Sequence, residues 1–222
     1  MTPMRSLVFV LAAAAVGCGR PPSLLQSTDP RFAEAAPDSF DVEMITTKGT
    51  MLVRAHRTWS PHGADRFHAL VRYGFFTDVA FRRTISNFGA QFCIHGDTAV
   101  NRAWMGRSIP DDTVRTTNRR GTLSFARGGP NTRGTQLFFN LVDNTPRLDT
   151  LNGFGFPPIG EIVQGVEVLD SLNWEYSGVR GGTQLPGPRQ DSLRLQGNDY
   201  LRRNYPRLDY IRSARVVRSY DR

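Results

Sequence analysis

The chain has 222 residues, enough to bury one sizeable core, and a formal net charge of +8. Its 28 basic residues are 27 arginines and one lysine, Lys48, with no block longer than two. So even a spread reads as a compositional habit and argues against a nucleic-acid surface. Two cysteines exclude a disulfide scaffold and a thiolate zinc site, while 21 glycines and 14 prolines favour a turn-rich, mainly β fold.

Residues 1–17 carry Arg5 and then a ten-residue apolar run, Leu7 to Val16. A bilayer span needs roughly 20 residues, so the run reads as the core of a signal peptide. It ends in Ala15-Val16-Gly17-Cys18, which resembles a bacterial lipobox. That resemblance implies cleavage before Cys18 and lipid on its sulfur, hence a membrane anchor in the bacterial cell envelope, facing the periplasm or exterior. An ordinary secretory signal cut nearby is the other reading. With Cys18 lipidated, Cys93 would be the only remaining thiol. Residues 18–38, with four prolines, read as the lipidated N-terminus and a tether. Twenty extended residues reach roughly 65 Å.

The globular part is expected over residues 39–222. Phe40, Val42 and Met44 alternate, Lys48-Gly49 turns the chain, and Met51, Val53 and Ala55 alternate back, which is a β-hairpin pattern. Ser60 suits a helix N-cap, Pro61 the first helical position and Gly74 the residue just past the end. Between them Phe67, Leu70 and Val71 form one apolar stripe. Val79–Phe92, Thr122–Phe125 and Gln136–Val142 read as short strands, Gly165–Trp174 as a second helix and Ala214–Val217 as a last strand. Gly178–Pro188 reads as loop, and Ser192–Asn204 as a possible helix closed by Pro206. Two helices among many short strands point to a closed or nearly closed antiparallel barrel.

Three segments carry the chemistry. They are Phe81-Arg82-Arg83-Thr84-Ile85-Ser86-Asn87-Phe88-Gly89-Ala90-Gln91-Phe92, the run Gly121 to Phe139 (GTLSFARGGPNTRGTQLFF), and Pro146-Arg147-Leu148-Asp149 followed by Ile159 to Leu169. In this order they resemble the cyclophilin family of peptidyl-prolyl cis/trans isomerases, over roughly residues 40–174. The resemblance implies a closed eight-stranded antiparallel barrel capped by two helices, a reaction without cofactor, and proline-containing polypeptides as substrates; no metal, no nucleic-acid partner and a monomeric state are expected. It implies a catalytic role for Arg83 and for Gln91, which would help hold the arginine. Phe88, Phe138 and Leu148 match the proline pocket. The backbone of Arg127 matches the position that hydrogen-bonds the substrate chain. Ala126, Gly128 and Gln136 match the groove for the residue before proline.

Some positions depart from the family pattern. Arg82 stands where a His is usual and is not the catalytic candidate. Gly89 replaces a Met in the pocket wall, with Phe92 a candidate substitute. Arg147 replaces an aromatic on the rim, so weaker cyclosporin binding is expected. The loop Thr150–Pro158 has no His, and Phe156 falls near that place. The rival reading is a non-catalytic binder of proline-containing segments, serving as a chaperone or scaffold. The glycine run at Gly129–Thr135 lacks the lysine of a phosphate loop, and the four histidines have no metal-ligand spacing.

Overall fold

The computed structural model describes residues 21–180 and 183–221. The signal segment and Cys18 lie outside them. The first hairpin joins β1 (Ser39–Thr46) to β2 (Gly49–His56), and its alternating residues Phe40, Val42, Met44, Met51, Val53 and Ala55 are all fully buried. The turn itself is Thr47-Lys48, since Gly49 already pairs with Thr46. Helix α1 (Pro61–Arg72) follows, with Phe67, Leu70 and Val71 against the sheet and Gly74 at φ +78 just beyond it. Ser60 occupies the N-cap position, but a different side chain caps the helix. Asp112 accepts the N–H groups of His62 and Gly63 at 3.1 and 3.0 Å, and the Ser60 hydroxyl donates to the same carboxylate.

Strands β3 (Val79–Ala80), β4 (Arg83–Ile85), β5 (Gly89–Phe92), β6 (Thr122–Phe125), β7 (Leu137–Asn140) and β8 (Pro158–Gln164) continue the fold. The segment read as one run, Val79–Phe92, is three short strands. Helix α2 (Thr98–Trp104) and the single turn α3 (Thr145–Leu148) were not foreseen from the sequence. The expected helix at Gly165–Trp174 is a 3-10 turn over Val166–Ser171. Within the expected loop Gly178–Pro188, β9 (Val179–Arg180) pairs with β10 (Thr183–Gln184). Helix α4 (Gln190–Asn204) is broken at Gly197, φ +62, where a Cβ would sit 2.1 Å from the Gly96 carbonyl oxygen. Strand β11 (Tyr210–Tyr220) is longer than expected.

The main sheet is antiparallel, in the order β3-β11-β1-β2-β8-β6-β7-β5-β4. The expected closed eight-stranded barrel is therefore corrected to an open nine-stranded sheet in half-barrel form. Its two ends, β3 and β4, are separated in the chain only by Phe81-Arg82. On the free edge of β4 the Thr84 N–H donates to the Ser177 hydroxyl at 2.8 Å, while the Phe81 N–H donates to the Asp209 carbonyl at 2.8 Å and so extends the pairing of β3 with the last strand. A chain of rings fills the interior: Phe40 against Phe67, Phe67 against Phe76, Phe76 against Phe92 and Phe92 against Phe139, with centroids 5.4–6.3 Å apart. Phe92 is thus a core residue and does not stand in for the missing Met beside Gly89.

The tether is shorter than expected. Phe32, in the 3-10 turn Pro30–Ala33, is buried edge-on against Tyr73 and Trp104. The Trp104 indole donates to the Leu24 carbonyl at 2.9 Å, and the Ser27 hydroxyl donates to the Ala103 carbonyl. Apolar Leu24, Phe32 and Ala36 gain more by packing than by solvation, so the chain joins the body from about residue 24.

Candidate active site

Register assembles the site. Arg83 lies opposite Gln91, Gln91 opposite Phe138, and Phe138 opposite Ser124. Directly opposed residues of antiparallel strands share a face, so Arg83, Gln91 and Phe138 form one row on the face away from the core. Their neighbours Ala90, Phe139 and Leu123 form the buried row on the other face.

Arg83 is half-buried, and among the described residues its guanidinium has no hydrogen bond and no ion pair. Burial pulls its pKa below the usual arginine value. The group remains a cation at neutral pH, which makes it an uncommitted donor in the row that runs through Gln91 to Phe138.

The residues expected to form the proline pocket, Phe88, Phe138 and Leu148, lie with Phe156 in an apolar cluster. The rings of Phe88 and Phe138 lie 6.0 Å apart and nearly parallel, and Phe156 meets Phe138 edge-on at 5.9 Å. Leu148, in α3, is buried beside them. The Arg147 guanidinium lies over the Phe88 ring at 5.6 Å, so the rim is cationic where an aromatic was expected. Gly89 is not an open gap in the wall. A Cβ there would lie 2.9 Å from the Phe139 carbonyl oxygen and 3.4 Å from the Phe138 ring.

Buried amides hold the pocket in shape. Asn144 Nδ2 donates to the Phe88 carbonyl and to Asn140 Oδ1, both at 2.8 Å. Asn140 Nδ2 donates to Thr122 Oγ1 at 2.8 Å and to Asn118 Oδ1 at 3.2 Å, while Asn118 Nδ2 donates to Asp149 and to the Phe156 carbonyl. Fully satisfied networks of this kind fix loop geometry. Asn118, Asn140 and Asn144 were not singled out from the sequence, where isolated asparagines look like turn residues.

The second half of the expected site lies across Gln91. Gln91, Ala126, Arg127, Gly128 and Gln136 all line one cavity of about 440 Å³, and Arg83, Phe88, Phe138 and Leu148 do not. Gln91 therefore stands between pocket and cavity. Its Nε2 donates to Gln136 Oε1 at 3.1 Å, so it does not hold Arg83 by a hydrogen bond as expected. Arg82 Nη2 donates to that same Gln136 oxygen at 2.9 Å. The arginine that the sequence set aside is thus tied into the site.

Arg127 supplies more than a backbone. Its N–H and C=O make no hydrogen bond among the described residues, which leaves a main-chain edge open to an incoming strand. Its side chain is almost fully buried, paired with Asp111 at 2.8 Å and stacked on Phe154 at 4.1 Å. Desolvation lowers its pKa, opposed by the Asp111 charge.

A family model described as cyclophilin type peptidyl-prolyl cis-trans isomerase matches residues 41–186 of this chain. The chain belongs to that family of enzymes. Among cyclophilins, a peptidyl-prolyl cis-trans isomerase of Acinetobacter baylyi is 27% identical over 135 residues, 59% of this chain and 70% of the relative. Peptidyl-prolyl cis-trans isomerase B of Escherichia coli is 27% identical over 156 residues, 68% and 94% of the two chains. A peptidyl-prolyl cis-trans isomerase-like 1 of Emericella nidulans is 35% identical over 140 residues, 60% and 80%. A Cryptosporidium parvum cyclophilin type isomerase, crystallised in the presence of the dipeptide Ala-Pro, shares the fold with a TM-score of 0.56 at 20% identity. That match covers 81% of this chain and 99% of the other. Cyclophilin membership accounts for the mainly β half-barrel and its order of motifs. Helix α4 and strand β11 lie beyond the matched residues.

Proposed function

We propose that this cyclophilin catalyses rotation about X-Pro bonds in exported proteins, with Arg83 as the catalytic group. The barrier to that rotation is about 18–20 kcal/mol because amide resonance resists twisting. Twisting localises a lone pair on the prolyl nitrogen. A cationic donor aimed there interacts far more strongly with the twisted state than with either planar isomer, and so lowers the barrier. No bond is made or broken, and no cofactor is required.

The single observation that carries this reading is the unpartnered Arg83 guanidinium in the same row as Phe138. A proline ring between Phe88, Phe138 and Leu148 sets its nitrogen beside that row. The residue before proline crosses Gln91 toward Ala126 and Gln136, and the open main chain of Arg127 takes the substrate backbone. The test is isomerisation of a short Ala-X-Pro peptide by wild type and Arg83→Ala. Acceleration by wild type that Arg83→Ala loses supports the proposal. Equal rates, no faster than buffer, would leave a proline-segment binder.

The lipobox-like Ala15-Val16-Gly17-Cys18 supports an anchored, envelope-facing protein. Only residues 19–23 separate Cys18 from Leu24, whose carbonyl accepts the Trp104 indole, and so short a segment spans at most roughly 20 Å. The site would then work close to the membrane. Mass spectrometry of the mature N-terminus tests this, and an unmodified residue other than Cys18 at that end refutes it.

A further inference from the structure

We propose that the cavity beside the proline pocket selects substrates with an acidic side chain shortly before the proline, and that Arg194 and Arg82 make the selection. The proposal rests on the isomerase reading above and names a substrate class for it. Two walls meet at the cavity. One carries Gln91 and Gln136, and the other is α4, which supplies Gln190 and Arg194. Helix α4 begins after the residues that match the family model.

Charge in and beneath the cavity is one-sided. No Asp or Glu lines it. Arg82, 2% exposed, lies beneath Gln136 and forms no ion pair among the described residues. Its Nε is buried without any partner. Arg194 has one distant ion pair, 3.6 Å to Asp191, whose side chain is 80% exposed. Of the other cavity arginines, Arg127 is paired with Asp111, while Arg107 donates to the Ser27 hydroxyl and, like Arg82, forms no ion pair among the described residues. Burial brings the Arg82 pKa down to about 10, and the charges of Arg83 and Arg194 act in the same direction.

A buried guanidinium without a counter-charge is costly, and the cost falls when an anion arrives. Gln136 is set to receive one. Its Oε1 accepts from both Arg82 and Gln91, so its Nε2 is turned the other way, 3.5 Å from Gln190 Oε1 and able to donate. A Glu or Asp side chain entering this space meets the Gln136 donor and the Arg194 cation, with the buried charge of Arg82 behind Gln136. A Lys side chain meets only repulsion.

The experiment uses peptides with Glu, Ala or Lys at either of the two positions before proline. Both kcat/KM for isomerisation and, with dye-labelled peptides, the dissociation constant are measured. The readout is the Glu-to-Lys ratio within each protein, which is independent of how much of a variant is folded. Wild type is expected to favour Glu by about fivefold at low salt, with the ratio shrinking toward one at about 0.5 M salt. Arg194→Glu is expected to invert the ratio, Arg194→Gln to halve it roughly, and Arg82→Gln to lower it. Arg215→Glu makes the same change in net charge outside the cavity lining and is expected to leave the ratio as in wild type. A wild-type ratio near one, or a ratio that Arg215→Glu moves as far as Arg194→Glu does, overturns the proposal. If no peptide is isomerised, the isomerase reading falls, and the ratio of dissociation constants still decides this inference.

Discussion

Asp112 and Arg133 form an ion pair of 2.9 Å, almost entirely hidden from solvent, that ties the turn carrying the cavity edge to the start of α1. Arg133 is fully buried. It also donates to the Ser60 hydroxyl and the Pro110 carbonyl and lies 3.2 Å from Asp111, which in turn pairs with Arg127. The glycine-rich turn, open in sequence, is therefore bolted down from beneath. Breaking such a pair from one side leaves a buried charge. Arg133→Ala is expected to cost about 3 kcal/mol or more, seen as a lower denaturation midpoint in urea. The exposed pair Arg72–Glu34 provides the contrast, with Arg72→Ala expected to change stability by less than about 1 kcal/mol.

Arg83 has the opposite signature. It holds nothing together among the described residues, so Arg83→Ala is expected to shift stability by less than about 1 kcal/mol while lowering kcat/KM about a hundredfold or more. Arg83→Lys keeps the charge but loses the planar fork of donors, and should recover only part of the rate. Peptide isomerisation alongside urea denaturation separates the two effects.

Gly89→Met would restore the side chain usual in the family. The structure predicts that it does harm, because even a Cβ meets the Phe139 carbonyl oxygen at 2.9 Å. Backbone must shift to admit it, at a cost of about 1–3 kcal/mol. Thermal unfolding would show a lower midpoint, and cyclosporin affinity should not rise.

Stability should depend on pH through histidines more than activity does. Burial lowers the pKa of His68 and of His95 below 6.5. His95 packs against Phe75, and its Nδ1 accepts the Asp97 N–H, which requires that nitrogen unprotonated. A histidine whose folded pKa is depressed binds its proton more readily when unfolded. Its contribution is present in full above pH 6.5 and is lost as pH falls through the folded value. The urea midpoint is therefore expected to be lower at pH 5.5 than at pH 7.5, and His95→Gln should flatten that difference. Over the same range kcat/KM for the folded enzyme should stay level, since Arg83 keeps its charge. A second loss is expected in stronger acid. Burial alone would raise the Asp112 pKa, but hydrogen bonds from Ser60, Arg133 and Gly63 outweigh it and hold it below 3.8. That stabilisation disappears as pH falls through the lowered value.

Periodicity and turn chemistry carried the local elements. Alternation at Phe40-Val42-Met44 and Met51-Val53-Ala55 marked the first hairpin, and Phe67-Leu70-Val71 between Ser60 and Gly74 marked α1, because burying one face is a local property of the chain. Motif order carried the family and named Phe88, Phe138 and Leu148 as candidates for the proline pocket. Short polar helices such as α2, the buried asparagines and the docking of residues 24–36 left no comparable signal. Each depends on partners far away in the sequence.

By itself the sequence determined the mainly β character, the family, and Arg83 as the catalytic candidate. Only the tertiary structure decided that the sheet is open, because edge closure depends on whether Ser177 or another strand reaches Thr84. Only it placed Arg83, Gln91 and Phe138 in one row, because register between strands up to about fifty residues apart is settled by global packing. And only it gave work to Arg82 and Arg194, since a charge acquires meaning from the counter-charges that folding brings to it or withholds.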